Sequence, residues 1–321
     1  MTTALLTHPA CLSHITPTGH PEQVARLERV LAALDPLTLQ RQAAPMAAED
    51  DLLRLHPQHH LDGLREAQPT TGQRALDGDT FLSPGSLEAA YRGAGAALKA
   101  VDMVLSGEVH NAFCAIRPPG HHAESETAMG FCLLGNAALA AKYALDHHGL
   151  ARVAVVDFDV HHGNGTQELL YDEHRALVVT SQQMPLWPGS GAVEETGLYD
   201  TVLNIPLAPG SYGLAMRQAY EAQVFPRLEA FQPDLIIVSA GFDAHQADPL
   251  ADLNWSTDDF RWLSARLCAL AAQLCAGRLI STLEGGYDLD ALAAACAAHV
   301  QALIEGAPAT LTAVSQAGIK L

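Results

Sequence analysis

Lysine is scarce in this chain of 321 residues, occurring only at Lys99, Lys142 and Lys320. Lys plus Arg number 18 against 36 for Asp plus Glu, which sets the formal charge at −18. A chain this acidic repels phosphate backbones and offers no basic stripe, so nucleic acid is excluded as a partner. Cationic ligands are drawn in instead. No apolar run approaches the roughly 18 residues of a membrane span. The first twenty residues also lack a basic segment followed by an apolar one. No membrane association and a cytoplasmic location are therefore expected. Six cysteines (Cys11, Cys114, Cys132, Cys268, Cys275 and Cys296) are scattered without a CxxC pair, so reduced and mostly buried thiols are expected rather than a disulfide framework. Internal repeats, heptads and low-complexity linkers are absent as well.

What the chain does contain is 49% hydrophobic residues with 17% charged, enough to bury a core and to exclude wholesale disorder. Short β-rich runs over 112–116, 153–158, 176–180, 235–240 and 279–283 alternate with helical segments over 23–34, 86–105, 135–147, 214–231, 257–276 and 288–306. That alternation predicts parallel strands joined by crossover helices, an α/β sheet covered on both faces, in one domain over 1–321. Long loops are expected over 68–85, 181–197 and 206–213.

Histidine is unusually frequent, and several of the 16 occur as adjacent pairs. The polar clusters fall where strands run out: AFCAIRPPGHH, VAVVDFDVHHGN, LIIVSAGFDAH and LISTLEGGYD. Open parallel sheets bind ligands at the carboxyl ends of their strands, so four chemically loaded ends are expected to converge on one crevice. In DFDVHHGN, Asp157, Asp159 and His161 alternate along extended chain and share a face. SAGFDAH adds Asp243, with His245 as a further candidate. Asp159, His161 and Asp243 supply one nitrogen and two oxygen ligands and leave a coordination position open, the donor count of a catalytic zinc site; iron(II) or cobalt would also suit it. A second metal would want further carboxylates two residues after His161 and Asp243, where Gly163 and His245 stand, so a single ion is expected.

The stiff segment Arg117-Pro118-Pro119-Gly120 ends in His121-His122, and imidazole is the usual acid and base near neutral pH. The competing reading is an ordinary surface pair, as at His59-His60 and His147-His148, but only 121–122 follows an apolar strand and a Pro-Pro-Gly turn. Tyr287, after Gly285-Gly286, offers a phenol for an oxyanion, although a turn capping the next helix is the simpler use of that motif.

Taken in order, RPPGHHAESETAMGFC, DFDVHHGNGTQ, SAGFDAHQADPL and LEGGYDLDAL resemble the zinc-dependent histone deacetylase superfamily. The RPPGHH wording is similar to its class II branch and to bacterial deacetylase-like and acetylpolyamine amidohydrolases. The likeness extends from His14 to Ala294. It implies an arginase/deacetylase α/β fold with a central, mostly parallel sheet flanked by helices. It also implies one Zn2+ on Asp159, His161 and Asp243, with His122 as general base and His121 as its electrostatic partner and possible proton donor. Tyr287 becomes the oxyanion donor, with Asp157 behind His121 and Asn164 behind His122. Asn164 is uncharged where some relatives carry Asp. A structural K+ is implied near the backbone of Asp157, Asp159 and His161, with Thr180 and Ser181. The resemblance assigns a substrate tunnel to Gly130, Phe131 and Trp187, with Leu250 and Asp79 at the rim; Trp187 replaces the more usual Phe or Tyr. The implied reaction removes acetyl or other acyl groups from acetylated lysine or related acetylated amines. An acetylpolyamine hydrolase and a non-catalytic acyl-ligand binding protein are the alternatives, and homo-oligomers are compatible with the resemblance.

Overall fold

The structure, a computed structural model, describes residues 2–306; the end of the expected domain, 307–321, lies outside the described residues. Among the described residues ten strands occur in chain order: β1 (Thr3–Thr7), β2 (Gln40–Ala43), β3 (Arg74–Ala75), β4 (Phe81–Leu82), β5 (Asn111–Cys114), β6 (Val153–Asp157), β7 (Ala176–Gln183), β8 (Val202–Leu207), β9 (Leu235–Ala240) and β10 (Leu279–Leu283). Eight of them form one sheet in the order β2-β1-β5-β10-β9-β6-β7-β8. Every neighbouring pair in it is parallel. Strands β5, β6, β7, β9 and β10 are buried along their whole length, which is why they carry apolar runs, although β7 ends in the polar Ser181-Gln182-Gln183.

Helix Leu289–Gly306 packs on both Val24–Leu34 and Thr257–Cys275, while Ser86–Leu105 packs on Asn136–Asp146, and the two groups cover the sheet. Helix Thr257–Cys275 starts at a capping box: Asp259 accepts from the Ser256 backbone N–H at 2.8 Å and from its hydroxyl at 2.7 Å. No described helix is long and apolar enough to cross a membrane.

Several boundaries depart from the sequence reading. Residues 181–183 continue β7 instead of opening a loop, and 206–207 close β8. Pro206 is tolerated there because β8 is an edge strand with one free side. The loop expected over 68–85 contains the small hairpin β3–β4. Strands β1 and β2 were not foreseen: β1 is a buried five-residue run, whereas edge strand β2, QRQA, is mostly exposed and has no apolar pattern. The helix expected over 214–231 is interrupted by a π-turn at Tyr220–Val224, just before Pro226, whose ring nitrogen has no hydrogen for the regular ladder. His60 is buried and stacks on His56 at 5.0 Å, so His59-His60 is not the surface pair expected.

Glycines within helices give a stability prediction of both signs. An added Cβ meets nothing within 4 Å at Gly63, and at Gly93 only ordinary contacts, the nearest at 3.5 Å to Ile116. At Gly95 it would lie 2.1 Å from the Pro45 carbonyl oxygen. Gly63→Ala and Gly93→Ala are each expected to stabilise the protein by about 0.5–1 kcal/mol. Gly95→Ala, in the same helix as Gly93, is expected to destabilise it, and urea-unfolding midpoints of the three variants check the contrast.

Candidate active site

Strands β5, β10, β9 and β6 are consecutive across the sheet, so the four loaded strand ends emerge side by side. Each strand spends its apolar residues inside the sheet and releases polar ones where hydrogen-bonded pairing stops. Asp159, His161 and Asp243 come from two of these ends, and one donor atom of each lies within 4.8 Å of the others. Their backbone is fixed locally: Asp159 Oδ1 accepts from the His161 N–H at 2.9 Å, and Asp243 Oδ1 from the Val160 N–H at 2.9 Å. The Gly285 N–H donates to Asp159 Oδ2 at 2.8 Å. Gly285 is required for that approach, because a Cβ there would lie 2.1 Å from Asp243 Oδ2. His245 stands apart from this group, its ring accepting from the Ala247 N–H at 3.2 Å and facing Thr257 at 3.4 Å.

The three donors suit a divalent cation on electrostatic grounds. His161 Nδ1 faces Asp159 Oδ1 at 3.2 Å and Asp243 Oδ2 at 3.1 Å. Both carboxylates are buried. Burial and then the charge of Asp159 push the Asp243 carboxyl up to about 7. Two carboxylates crowded together in a dry site repel unless a cation lies between them.

His121 and His122 lie beside this group with ring centroids 3.8 Å apart. His121 Nδ1 lies 3.0 Å from Asp157 Oδ2, and His122 Nδ1 lies 2.7 Å from Asn164 Oδ1. The two rings are thereby driven apart in basicity. Burial disfavours the charge on His121, but Asp159 and Asp157 overcome it and raise its pKa well above the usual range. Burial and then the neighbouring His121 and His161 rings hold His122 well below that range.

A cavity of about 560 Å³ reaches His122, His161 and Tyr287, and it is lined by Gly130, Phe131, Trp187, Leu250 and Asp79. All the tunnel residues expected from sequence therefore meet on one cavity. Trp187 packs edge-on against His122 with centroids 4.7 Å apart, and Phe131 against Tyr287 at 5.8 Å. Gly130 has φ +53°, and a Cβ on it would lie 2.6 Å from both the His122 and Trp187 rings. A side chain at this position would push the Trp187 ring away from the imidazole.

Thr180 is the register partner of Asp157, and the Ser181 hydroxyl donates to the Asp157 carbonyl at 3.4 Å. Asp157 ends β6, and Thr180 and Ser181 lie beside it within β7, with Asp159 and His161 following Asp157 on its own segment.

Some contributors were not foreseen. His20 lines the cavity, with its Nε2 2.8 Å from the Asp79 carbonyl and its ring 4.8 Å from that of Phe131. Glu284, the residue that follows β10, accepts from the Gly120 and His121 N–H groups at 2.7 and 3.1 Å. Burial raises its pKa to about 7. Glu22, Arg26 and Arg117 form a fully buried ion cluster beneath the Gly285-Gly286-Tyr287 turn. An arginine directly after an apolar strand signals a buried partner, but nothing in the chain points to Glu22.

The profile of the histone deacetylase domain matches residues 20–303. The chain belongs to the histone deacetylase family. It is 41% identical over 278 residues to the histone deacetylase-like amidohydrolase of Pseudomonas aeruginosa, covering 84% of this chain and 73% of that protein. Histone deacetylase 10, chloroplastic, of Oryza sativa is 37% identical over 309 residues, 89% of this chain and 70% of its own length. A probable deacetylase of Archaeoglobus fulgidus is 35% identical over 305 residues, covering 90% and 82% of the two chains. Among solved structures, the crystal structure of the HDA15 HD domain superposes with a TM-score of 0.88 at 32% identity, covering 94% of this chain and 90% of that one. The sheet and its helices are thus the arginase/deacetylase α/β fold, and the chain is a deacetylase of this family.

Proposed function

We propose that this histone deacetylase family member hydrolyses the amide of acetyl-lysine side chains, releasing acetate, at one zinc ion held by Asp159, His161 and Asp243. The observation that carries this reading is the buried Asp-His-Asp group beside a cavity that also receives His122 and Tyr287. Zinc held there supplies a Lewis acid that polarises the acyl carbonyl and lowers the pKa of a bound water to about 7.

The protein's own groups supply the rest. His122 is held by Asn164 through Nδ1, which leaves Nε2 to take a proton from the attacking water. The Tyr287 hydroxyl donates to the acyl oxygen as negative charge develops on it. The departing amine takes its proton from His122 or from His121, whose positive charge Asp157 supports. Phe131 and Trp187 wall the alkyl chain, and Leu250 adds apolar contact at the rim. Asp79 accepts from the substrate amide. We place potassium at the backbone of Asp157, Asp159 and His161, with Thr180 and Ser181, where it would stiffen the strand end bearing the zinc ligands; the pairing of Asp157 with Thr180 supports this position.

A second reading, hydrolysis of acetylated polyamines, is favoured by the net charge of −18 and by Asp79 at the cavity mouth. Zinc-loaded protein is expected to release acetate from acetyl-lysine peptides and to lose that activity on chelation. A kcat/KM higher on acetylated polyamines than on peptides would move the assignment to the second reading. Absence of acetate release from both, with hydroxamate still bound tightly, would leave an acyl-ligand binding protein.

A further inference from the structure

We propose that Glu124 is a positioning residue that fixes the tautomer of His122 through the side-chain amide of Asn164. The inference rests on the reading of His122 as general base and deepens it. Asn164 is 8% exposed and makes three side-chain contacts. Its Nδ2 lies 2.9 Å from Glu124 Oε1 and 3.4 Å from Met129 Sδ, and its Oδ1 lies 2.7 Å from His122 Nδ1. A carboxylate and a thioether only accept, so the amide NH2 must face them and the amide oxygen must face the ring. That oxygen cannot donate. His122 Nδ1 therefore carries the hydrogen, and Nε2 keeps its lone pair.

Turning the amide over would aim its NH2 group at Nδ1 and at the same time place two acceptors, the amide oxygen and the Glu124 carboxylate, against each other. The ring would then hold its hydrogen on Nε2, the wrong nitrogen for a base. An aspartate at 164 would need no such control, because both of its oxygens accept. The uncharged Asn164 makes the third group necessary, and Glu124 supplies it from two residues beyond His122. Its own backbone is fixed by an N–H bond to the Thr127 carbonyl at 3.0 Å. Glu124 lies outside the residues that line the cavity and outside the metal-donor group, so it acts only through Asn164.

The test compares wild type, E124A, E124Q, N164D and E124A/N164D, each as the full zinc-loaded chain. E124A is expected to lower kcat roughly 10- to 100-fold with little change in KM, the usual cost of losing a group that orients a site imidazole. E124Q is expected to recover most of that loss, because its amide oxygen accepts from Asn164. N164D alone sets two carboxylates face to face and is expected to fall as well. Combined, E124A/N164D is expected to exceed either single variant, since an unopposed aspartate accepts from Nδ1 whichever way it turns. Nitrogen-15 spectra of the His122 ring, assigned with His122→Gln, are expected to show hydrogen on Nδ1 in wild type and a mixture of tautomers in E124A. Unchanged kcat and ring spectra in E124A, or losses that simply add in the double variant, would overturn the proposal. The ring spectra judge Glu124 even if wild type hydrolyses no acetyl-lysine peptide, an outcome that would overturn only the substrate reading.

Discussion

Glu22→Ala is expected to lose about 3–5 kcal/mol of folding stability, the largest single-residue effect on stability foreseen here. Glu22, Arg26 and Arg117 are all 0% exposed. Arg117 Nε and Nη2 both reach the Glu22 carboxylate, the latter at 2.6 Å, and Arg26 Nη1 reaches it at 3.0 Å. Burial alone would raise the Glu22 pKa, but Arg117 and then Arg26 outweigh it and hold the carboxyl down to about 2 from an ordinary 4.5. The sign of the pH effect follows from that shift. A depressed carboxyl contributes stability above pH 4.5 and loses it progressively as pH falls through 2. Next to it, His14 is held down to about 4, chiefly by burial, so its contribution begins to fail already below its ordinary 6.5.

Removing the carboxylate leaves two guanidinium groups uncompensated in a dry interior. The surface pair Arg29–Asp290 is the control, and its loss is expected to cost less than about 1 kcal/mol. Urea unfolding measures both. A Glu22→Ala loss as small as the surface pair's would show that the cluster is hydrated rather than buried. The site would feel the change too, because Arg26 donates to the Glu284 and Gly286 carbonyls at 2.5 Å each and lies 4.8 Å from the Tyr287 ring.

The second large effect is expected in catalysis: Tyr287→Phe should lower kcat by roughly 10²–10³, the usual worth of one oxyanion donor. Tyr287 is 9% exposed and lines the cavity beside His122 and His161, within reach of a carbonyl entering it. Burial and then the charge of Asp243 raise its pKa well above the ordinary range, so the phenol stays a hydrogen-bond donor throughout the working pH range. The phenylalanine ring keeps the contacts with Phe131 and Arg26. Zinc content is expected to be unchanged, since Tyr287 is outside the donor group. Metal analysis together with steady-state kinetics separates the outcomes. A variant that keeps more than about a tenth of wild-type kcat would remove Tyr287 from the oxyanion role.

The difference between what was legible and what was not has a physical origin. The Asp-His-Asp donors were readable because a strand end is a local feature: an apolar run gives way to polar residues, and alternation puts Asp159 and His161 on one face. Strand β2 was not readable, since its pairing with β1 depends on backbone hydrogen bonds and its side chains are mostly solvated. The edge character that lets Pro206 stay inside β8 belongs to the assembled sheet and to no local pattern. His245 shared a motif with Asp243, yet the turn after β9 sends it elsewhere.

Sequence alone determined the fold class, the four strand-end motifs and the chemical character of the groups they deliver, because each is encoded within a few residues by burial pattern and spacing. Only the tertiary structure decided which side chains touch: that Glu22 pairs with Arg26 and Arg117, that Glu284 holds the turn before the histidines, and that Glu124 faces Asn164. Apart from Glu22 and Arg26, four positions apart, such contacts join residues tens to hundreds of positions apart, and the chain carries no record of them until packing removes water and leaves every buried charge and amide in need of a partner.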